Sequence, residues 1–140
     1  MGIGVVVGAG MLTMFVTFLR SYNSTTLMRN TSSRASLALE RMVYGVGTNA
    51  GLREASTNSV VVTYPSGGWK ISDTNLNIFF QYTVSSSKIA DQDGKAICTN
   101  VISSSLTNYV KGCRIWVTVS ESAGGRSYTN TMTSFAQYRN

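Results

Sequence analysis

From Met1 to Leu19 the chain carries no charged residue and no proline, and Arg20 ends the run. At ~1.5 Å of rise per residue, a helix over this stretch spans roughly 28 Å, close to the hydrocarbon thickness of a bilayer. Such a helix is apolar on every side, so it has to be covered by lipid or by protein. The rest of the chain is polar. It therefore reads as an apolar rod carrying a soluble head, and its function has to use the rod.

Gly2, Gly4, Gly8 and Gly10 punctuate the rod. In water they weaken a helix, but in lipid or among packed helices they are tolerated and allow close approach. The residues expected to pack rod against rod are Gly2, Gly4, Val7, Gly8, Met11, Met14, Phe15 and Phe18. The polar stretch 20–29 holds neither proline nor glycine, so nothing there stops a helix. Beyond it Met28, Ala35, Leu39, Met42 and Val46 recur at helical steps, with Arg34, Glu40 and Arg41 off the stripe. One long helix is predicted, apolar first and amphipathic second. Ala35, Leu39, Met42 and Val46 should pack on a sheet, and the helix should end between Tyr44 and Asn49, where glycines gather.

The remainder has strand character. Ser59–Tyr64, Ile78–Val84, Lys95–Thr99, Arg114–Val119 and Tyr128–Phe135 are rich in β-branched and aromatic residues or alternate in polarity. Turns fall at Pro65–Gly68, Asp91–Gly94 and Ala123–Arg126, the last joining a C-terminal hairpin. In Arg114–Val119, Ile115, Val117 and Val119 alternate with Arg114, Trp116 and Thr118, as in a half-buried antiparallel sheet. The expected fold is α+β, a long N-terminal helix packed on a small antiparallel β-sheet head. Its divisions are the rod (1–19), the amphipathic continuation of the helix (20–48) and the head (49–140).

Composition argues against catalysis. There is no histidine, which removes the commonest general base and metal ligand. The six acidic residues are scattered apart from Asp91 and Asp93, and no phosphate-cradling glycine loop follows a strand. Asp91-Gln-Asp93-Gly94 has the opening of a calcium loop, a weak candidate beside the simpler reading of a solvated turn. No cofactor is expected. The net charge of +6 is dispersed, which favours solubility and leaves nucleic acid a minor reading. Trp69, Trp116, Tyr109, Tyr128 and Tyr138 are expected in the core or at contacts between subunits. Asn23-Ser-Thr25 and Asn30-Thr-Ser32 fit the glycosylation pattern, which a Ser/Thr/Asn-rich chain matches readily by chance. Cys98 and Cys113 are the only cysteines. In an exported head they are expected to form a disulfide worth about 3 kcal/mol.

This order of parts resembles the type IV pilin superfamily, which includes the pseudopilins of type II secretion. The resemblance rests on the helix end Ser33-Arg-Ala-Ser-Leu-Ala-Leu-Glu-Arg-Met-Val-Tyr-Gly-Val-Gly47, on the loop Asn49-Ala-Gly-Leu-Arg-Glu-Ala55, on Asn100-Val-Ile-Ser-Ser before a strand, and on the ending Ala136-Gln-Tyr-Arg-Asn140. It implies a structural subunit, drawn from the inner membrane by an assembly machinery into a helical polymer of itself at the cell surface. Members of the family carry a basic leader and a glutamate soon after its cleavage point. Here Val5 and Val6 stand where that glutamate is sought from Met1, and alignment on Gly2, Gly4 and Arg20 instead sets Met1 inside the mature helix. Arg20 and Arg29 flank the rod on its C-terminal side, a pattern that by itself holds a head in the cytoplasm. A basic leader ahead of Met1 is the expected resolution. The rival class is a single-pass anchored extracytoplasmic binding domain that never polymerises. Within the filament class, a minor or tip subunit competes with the shaft subunit.

Overall fold

In the computed structural model a helix, α1, runs unbroken from Gly2 to Tyr44, 43 residues, or about 64 Å at 1.5 Å per residue. The structure describes residues 2–47, 50–64, 68–73, 81–85 and 87–139, with backbone alone for residues 2–6, 81, 83 and 85. Gly45 ends the helix as a left-handed residue (φ 81°), and its N–H donates to the Arg41 carbonyl at 2.8 Å. A side chain with a Cβ adopts that conformation at a cost, so glycine here is the stop signal.

Among the described side chains of α1, only the second half is buried. Leu27, Thr31, Ala35, Ala38, Leu39, Met42 and Val43 form the covered stripe, at the three- and four-residue steps of a helix face. Two expected members are not in it. Val46 lies past the turn made by Gly45 and is 51% exposed, so it does not continue the helix–sheet contact. Met28 is half exposed, and its place is taken by Leu27 and Thr31. Thr31 donates its hydroxyl to the Leu27 carbonyl at 2.8 Å and to that of Met28 at 3.0 Å. A threonine satisfied in this way can be buried as if it were apolar.

Among the described residues both sheets of the head are antiparallel, and an isolated parallel bridge joins Ser56 to Arg139. A short 3-10 turn, Leu52–Glu54, follows α1. Then β1 (Val60–Thr63), β2 (Lys70–Asp73), β3 (Gln81–Ser85), β4 (Lys88–Ala90) and β5 (Ala96–Thr99) form a five-stranded meander. A second meander has β6 (Val101–Tyr109), β7 (Gly112–Ala123) and β8 (Arg126–Gln137). The fold is thus α+β, with two sheets among the described residues rather than the single one expected. The expected Ile78–Val84 strand corresponds in its second part to β3, and residues 78–80 fall outside the described residues, as do 65–67 of the expected turn. The strands β2, β4 and β6 carry no strong alternation and were not anticipated. Asn100, at a positive φ of 60°, joins β5 to β6 and so passes the chain from one sheet to the other. The β7–β8 hairpin turns through Gly124 and Gly125, both at positive φ, the geometry of a two-residue hairpin loop.

The core lies where α1 crosses the second sheet. Cys113, Ile115, Val117 and Val119 of β7 all have zero exposure and face the helix stripe. The first sheet closes the other flank with Trp69, Ile71, Tyr82, Val84 and Ile89. Polar ties fix the seams. Trp69 Nε1 donates to Ser104 Oγ at 3.1 Å, and the Tyr82 hydroxyl donates to the carbonyls of Arg41 (3.4 Å) and Ala50 (3.3 Å) at the helix end.

The revised stripe separates two substitutions. Met42→Ala empties a fully buried site and should lower stability by about 2–5 kcal/mol. Val46→Ala removes an exposed side chain and should change it by less than about 0.5 kcal/mol. Urea denaturation followed by tryptophan fluorescence reads both, and similar losses in the two variants would contradict the stripe.

Candidate functional site

The first half of α1 leaves the head bare. Val7, Met11, Leu12, Met14, Phe15, Val16, Phe18 and Leu19 are 39–77% exposed, and at 100° per residue they cover a broad arc of the rod, with Ala9, Gly10, Thr13 and Thr17 on the remaining face. Together they expose on the order of 800 Å² of largely apolar surface, above the few hundred Å² usual for the largest patch of a monomer. Removing that area from water is worth on the order of 20 kcal/mol at roughly 25 cal/mol per Å². Gly8 and Gly10 have nothing within 4 Å of where a Cβ would stand, leaving open notches beside these side chains. Gly2 and Gly4 lie within the helical span, and their surroundings fall outside the described residues.

The rod's polar groups are silenced locally. Between residues 7 and 19 only Thr13 and Thr17 carry polar side chains. Each donates its hydroxyl to a carbonyl four residues back, Thr13 to Ala9 and Thr17 to Thr13, both at 2.8 Å. Thr25 and Thr26 do the same to Ser21 and Tyr22 at 3.0 Å. Among described residues 7–19, no side-chain donor is left that would oppose burial in an apolar medium. Among the described residues no helix is long and apolar enough to cross a membrane. The rod described in full atomic detail begins at Val7 and gives about 20 Å of apolar length, and the run in the sequence continues back to Met1.

The other expected site residues lie apart from the rod. Ala35, Leu39 and Met42 are buried against the second sheet. Asp91 accepts the N–H groups of Asp93 (3.1 Å) and Lys95 (2.9 Å) through Oδ1 and so caps its own turn. Among the described residues no group of three His, Cys, Asp or Glu could hold a metal. The weak calcium candidate at Asp91 and Asp93 is therefore a closed turn.

The expected Cys98–Cys113 disulfide is absent, and both thiols are free and buried. The register explains why. Cys113 opens β7, pairing with Asn108 and Ala136. Cys98 lies in β5 beside Arg34, whose guanidinium is paired with Glu121 near the far end of β7. Cys98 pairs with Ile89 in the first sheet, so the two cysteines are not cross-strand partners. Burial pushes both thiols above their ordinary range, and neither is activated as a nucleophile.

The seam between the sheets opens a cleft of about 340 Å³ lined by Tyr64, Trp69, Val84, Ile102, Ser104 and Leu106 among others, with no charged side chain. The sequence missed Leu27, Thr31, Ala38 and Val43 on the stripe, and also the clamp from Asn130 Nδ2 to Ser32 Oγ at 2.8 Å. Small and hydroxyl residues at helical spacing were the signal available for the stripe; the clamp joins residues 98 positions apart and had none. Trp69 and Tyr138 are buried, Trp116 is half-buried on the outer face of β7, and Tyr109 stands exposed against Phe135. Comparison with protein-family models, curated proteins and solved structures returns no match to this chain.

Burial raises Cys98 and Cys113, and raises Tyr82, with Asp91 nearby, to about 12 from its ordinary 10.0. The folded state thus favours the neutral forms. The associated stability is complete below the unfolded pKa values and is lost as pH rises through the folded ones. Unfolding free energy should hold level up to about pH 8.5 and fall progressively towards pH 12. Alkylation of native protein with iodoacetamide near pH 8 should be slow at both cysteines and become rapid only on unfolding. Rapid native labelling, or recovery of a Cys98–Cys113 linked peptide, would contradict this assignment.

Proposed function

We propose that the chain is a structural subunit of a type IV pilus-like or pseudopilus filament, assembled by burying its N-terminal helices side by side. The carrying observation is the rod itself. A continuous helix has one half satisfied by its own head and the other half uncharged, with a broad exposed apolar arc and with its threonine hydroxyls already bonded internally. Such a segment can rest in the inner membrane and then exchange lipid for copies of itself. The exchange needs no catalytic residue, because apolar area stays out of water at both stages. Gly8 and Gly10 supply the notches in which neighbouring helices can approach closely.

In the assembled polymer Met1–Leu19 forms the core, the amphipathic half of α1 bridges outward, and the sheets form the surface. The head exposes smaller apolar groups among the described residues, with Tyr109, Val110 and Phe135 together at one edge and Tyr64 and Ile102 beside the inter-sheet cleft. The assembly machinery and the cell-surface location belong to this reading.

A charge in the core tests it. Met11→Glu places a carboxylate in the middle of the exposed apolar stretch, where burial without a partner costs several kcal/mol. Filaments seen by negative-stain microscopy should vanish, while urea denaturation of the head stays within about 0.5 kcal/mol of the parent chain. Normal filaments from this variant would overturn the reading. A parent chain that inserts in membrane yet stays monomeric in its native host would favour the anchored-domain alternative.

A further inference from the structure

The head's charges are distributed unevenly along the axis of α1. Contacts fix the levels. Arg34 pairs with Glu121 and Asn130 bonds Ser32, whereas the far end of the helix meets Tyr82 and the Leu52–Glu54 turn. The β7–β8 turn therefore faces the rod. So does the turn preceding Lys88, because Lys88 pairs with Thr99, beside Asn100, whose side chain donates to Glu121. The β4–β5 and β6–β7 turns face away.

The rod-facing end carries Arg20, Arg29, Lys88 and Arg126, all exposed. Of the six acidic residues, only Glu121 lies here, and Arg34 already engages it. The others lie further up. Glu40 is six residues past Arg34 on the helix, Glu54 is in the turn after α1, Asp73 accepts from the Ser56 N–H, and Asp91 and Asp93 cap the β4–β5 turn. At the far end these acids are mixed with Arg41, Arg53, Lys95, Lys111 and Arg139. Most of the chain's net +6 is thus concentrated around the point where the rod emerges.

The arrangement around the helix selects the partner. Arg20 precedes Leu27 by seven residues and so lies within ~20° of the head-facing stripe, whereas Arg29, nine residues from Arg20, is ~180° away from it. A partner docked on one side of the helix reaches one of these and misses the other. A plane pierced by the rod reaches both. The heights agree. Arg34 stands about 21 Å above Arg20 along the helix, and Arg126, opposite Ala123, lies two strand residues or about 7 Å below Glu121, which brings it to roughly 14 Å above the end of the apolar run. That is near the thickness of a headgroup layer plus a Debye length, and helical side chains lean towards the N-terminus, here towards the rod.

We propose that the rod-facing end of the head docks on an anionic lipid surface through Arg20, Arg29 and Arg126, with Lys88 behind them. The proposal rests on the reading that the rod enters a bilayer before assembly. Docked in this way, the head is held against the membrane until the rod is withdrawn, and each basic residue strengthens the contact about fivefold at low salt.

The test uses the full chain reconstituted in two kinds of vesicle, pure phosphatidylcholine and one in which about a third of the lipid is phosphatidylglycerol. Protection of the rod from added protease reports insertion, and hydrogen exchange of the Ala123–Arg126 amides reports docking. Exchange should be roughly fivefold or more slower on the anionic vesicles, and the difference should vanish near 1 M salt, where the Debye length is about 3 Å. The exposed double variant Arg29→Glu with Arg126→Glu should lose it, Arg29→Gln with Arg126→Gln should weaken it, and Lys95→Glu with Lys111→Glu at the far end should keep it. An inserted rod with equal exchange on both vesicles, or a difference surviving in the double Glu variant, overturns the docking alone. A rod that is cleaved in both vesicles overturns the membrane reading, and the docking with it.

Discussion

The contact between the second half of α1 and the inward face of β7 governs the rest of the molecule. Ala35, Ala38, Leu39 and Met42 meet a strand whose Cys113, Ile115, Val117 and Val119 have no exposed surface. Small residues at 35 and 38 let the helix lie close to the sheet, and β7, as the central strand of its sheet, cannot shift without breaking both β6 and β8. A one-residue slip would turn Arg114, Trp116 and Thr118 inward. The contact therefore sets the direction of the helix, and because the helix is unbroken it also sets the direction in which the rod leaves.

One helix consequently occupies two environments. Up to Met42 and Val43 its burial is supplied by its own head; before Leu27 nothing among the described residues covers it. The transition is abrupt. Leu27 is buried, Ser24 is half-buried, and every described side chain ahead of Ser24 on the rod is exposed. The polar stretch Arg20–Thr26 marks the interval between the two, and its threonines bond back to the helix instead of outward. On the proposed filament reading, function is located where the fold is incomplete, and the sheets hold the incomplete half at a fixed angle.

Much of this was legible in the residues, and the failures have physical causes. The rod, the length of α1 and its end near Gly45 followed from charge, proline and glycine placement, all local signals. The strands β1, β5, β7 and β8 showed through β-branched content and alternation. By contrast β6, Val101–Tyr109, reads as a run of serine and threonine because its buried positions are Val101 and Leu106 only, the rest facing solvent or the seam. Thr31 was unreadable as a core residue because its hydroxyl is satisfied within the helix, a fact of geometry. Val46 failed for the opposite reason, fitting the period but lying one residue beyond the stop. The cysteine pair misled because sequence separation says nothing of strand pairing, which places Cys98 in the first sheet opposite Ile89 and Cys113 in the second opposite Asn108 and Ala136.

The glycines of the rod bear on how such a chain can assemble. Each costs about 1 kcal/mol relative to alanine in a water-exposed helix, and Gly8 and Gly10 make no contact that offsets it within the subunit. The cost is recovered only where another surface enters the notches, so the rod is least stable when bare and gains most from a partner that comes close. Lipid chains fill such notches loosely, whereas a helix carrying its own small residues fills them with backbone and side-chain atoms at van der Waals distance. The same sequence that tolerates a bilayer thus prefers a packed bundle. On the proposed filament reading, that preference would give withdrawal from lipid a direction without a change in the fold of the head.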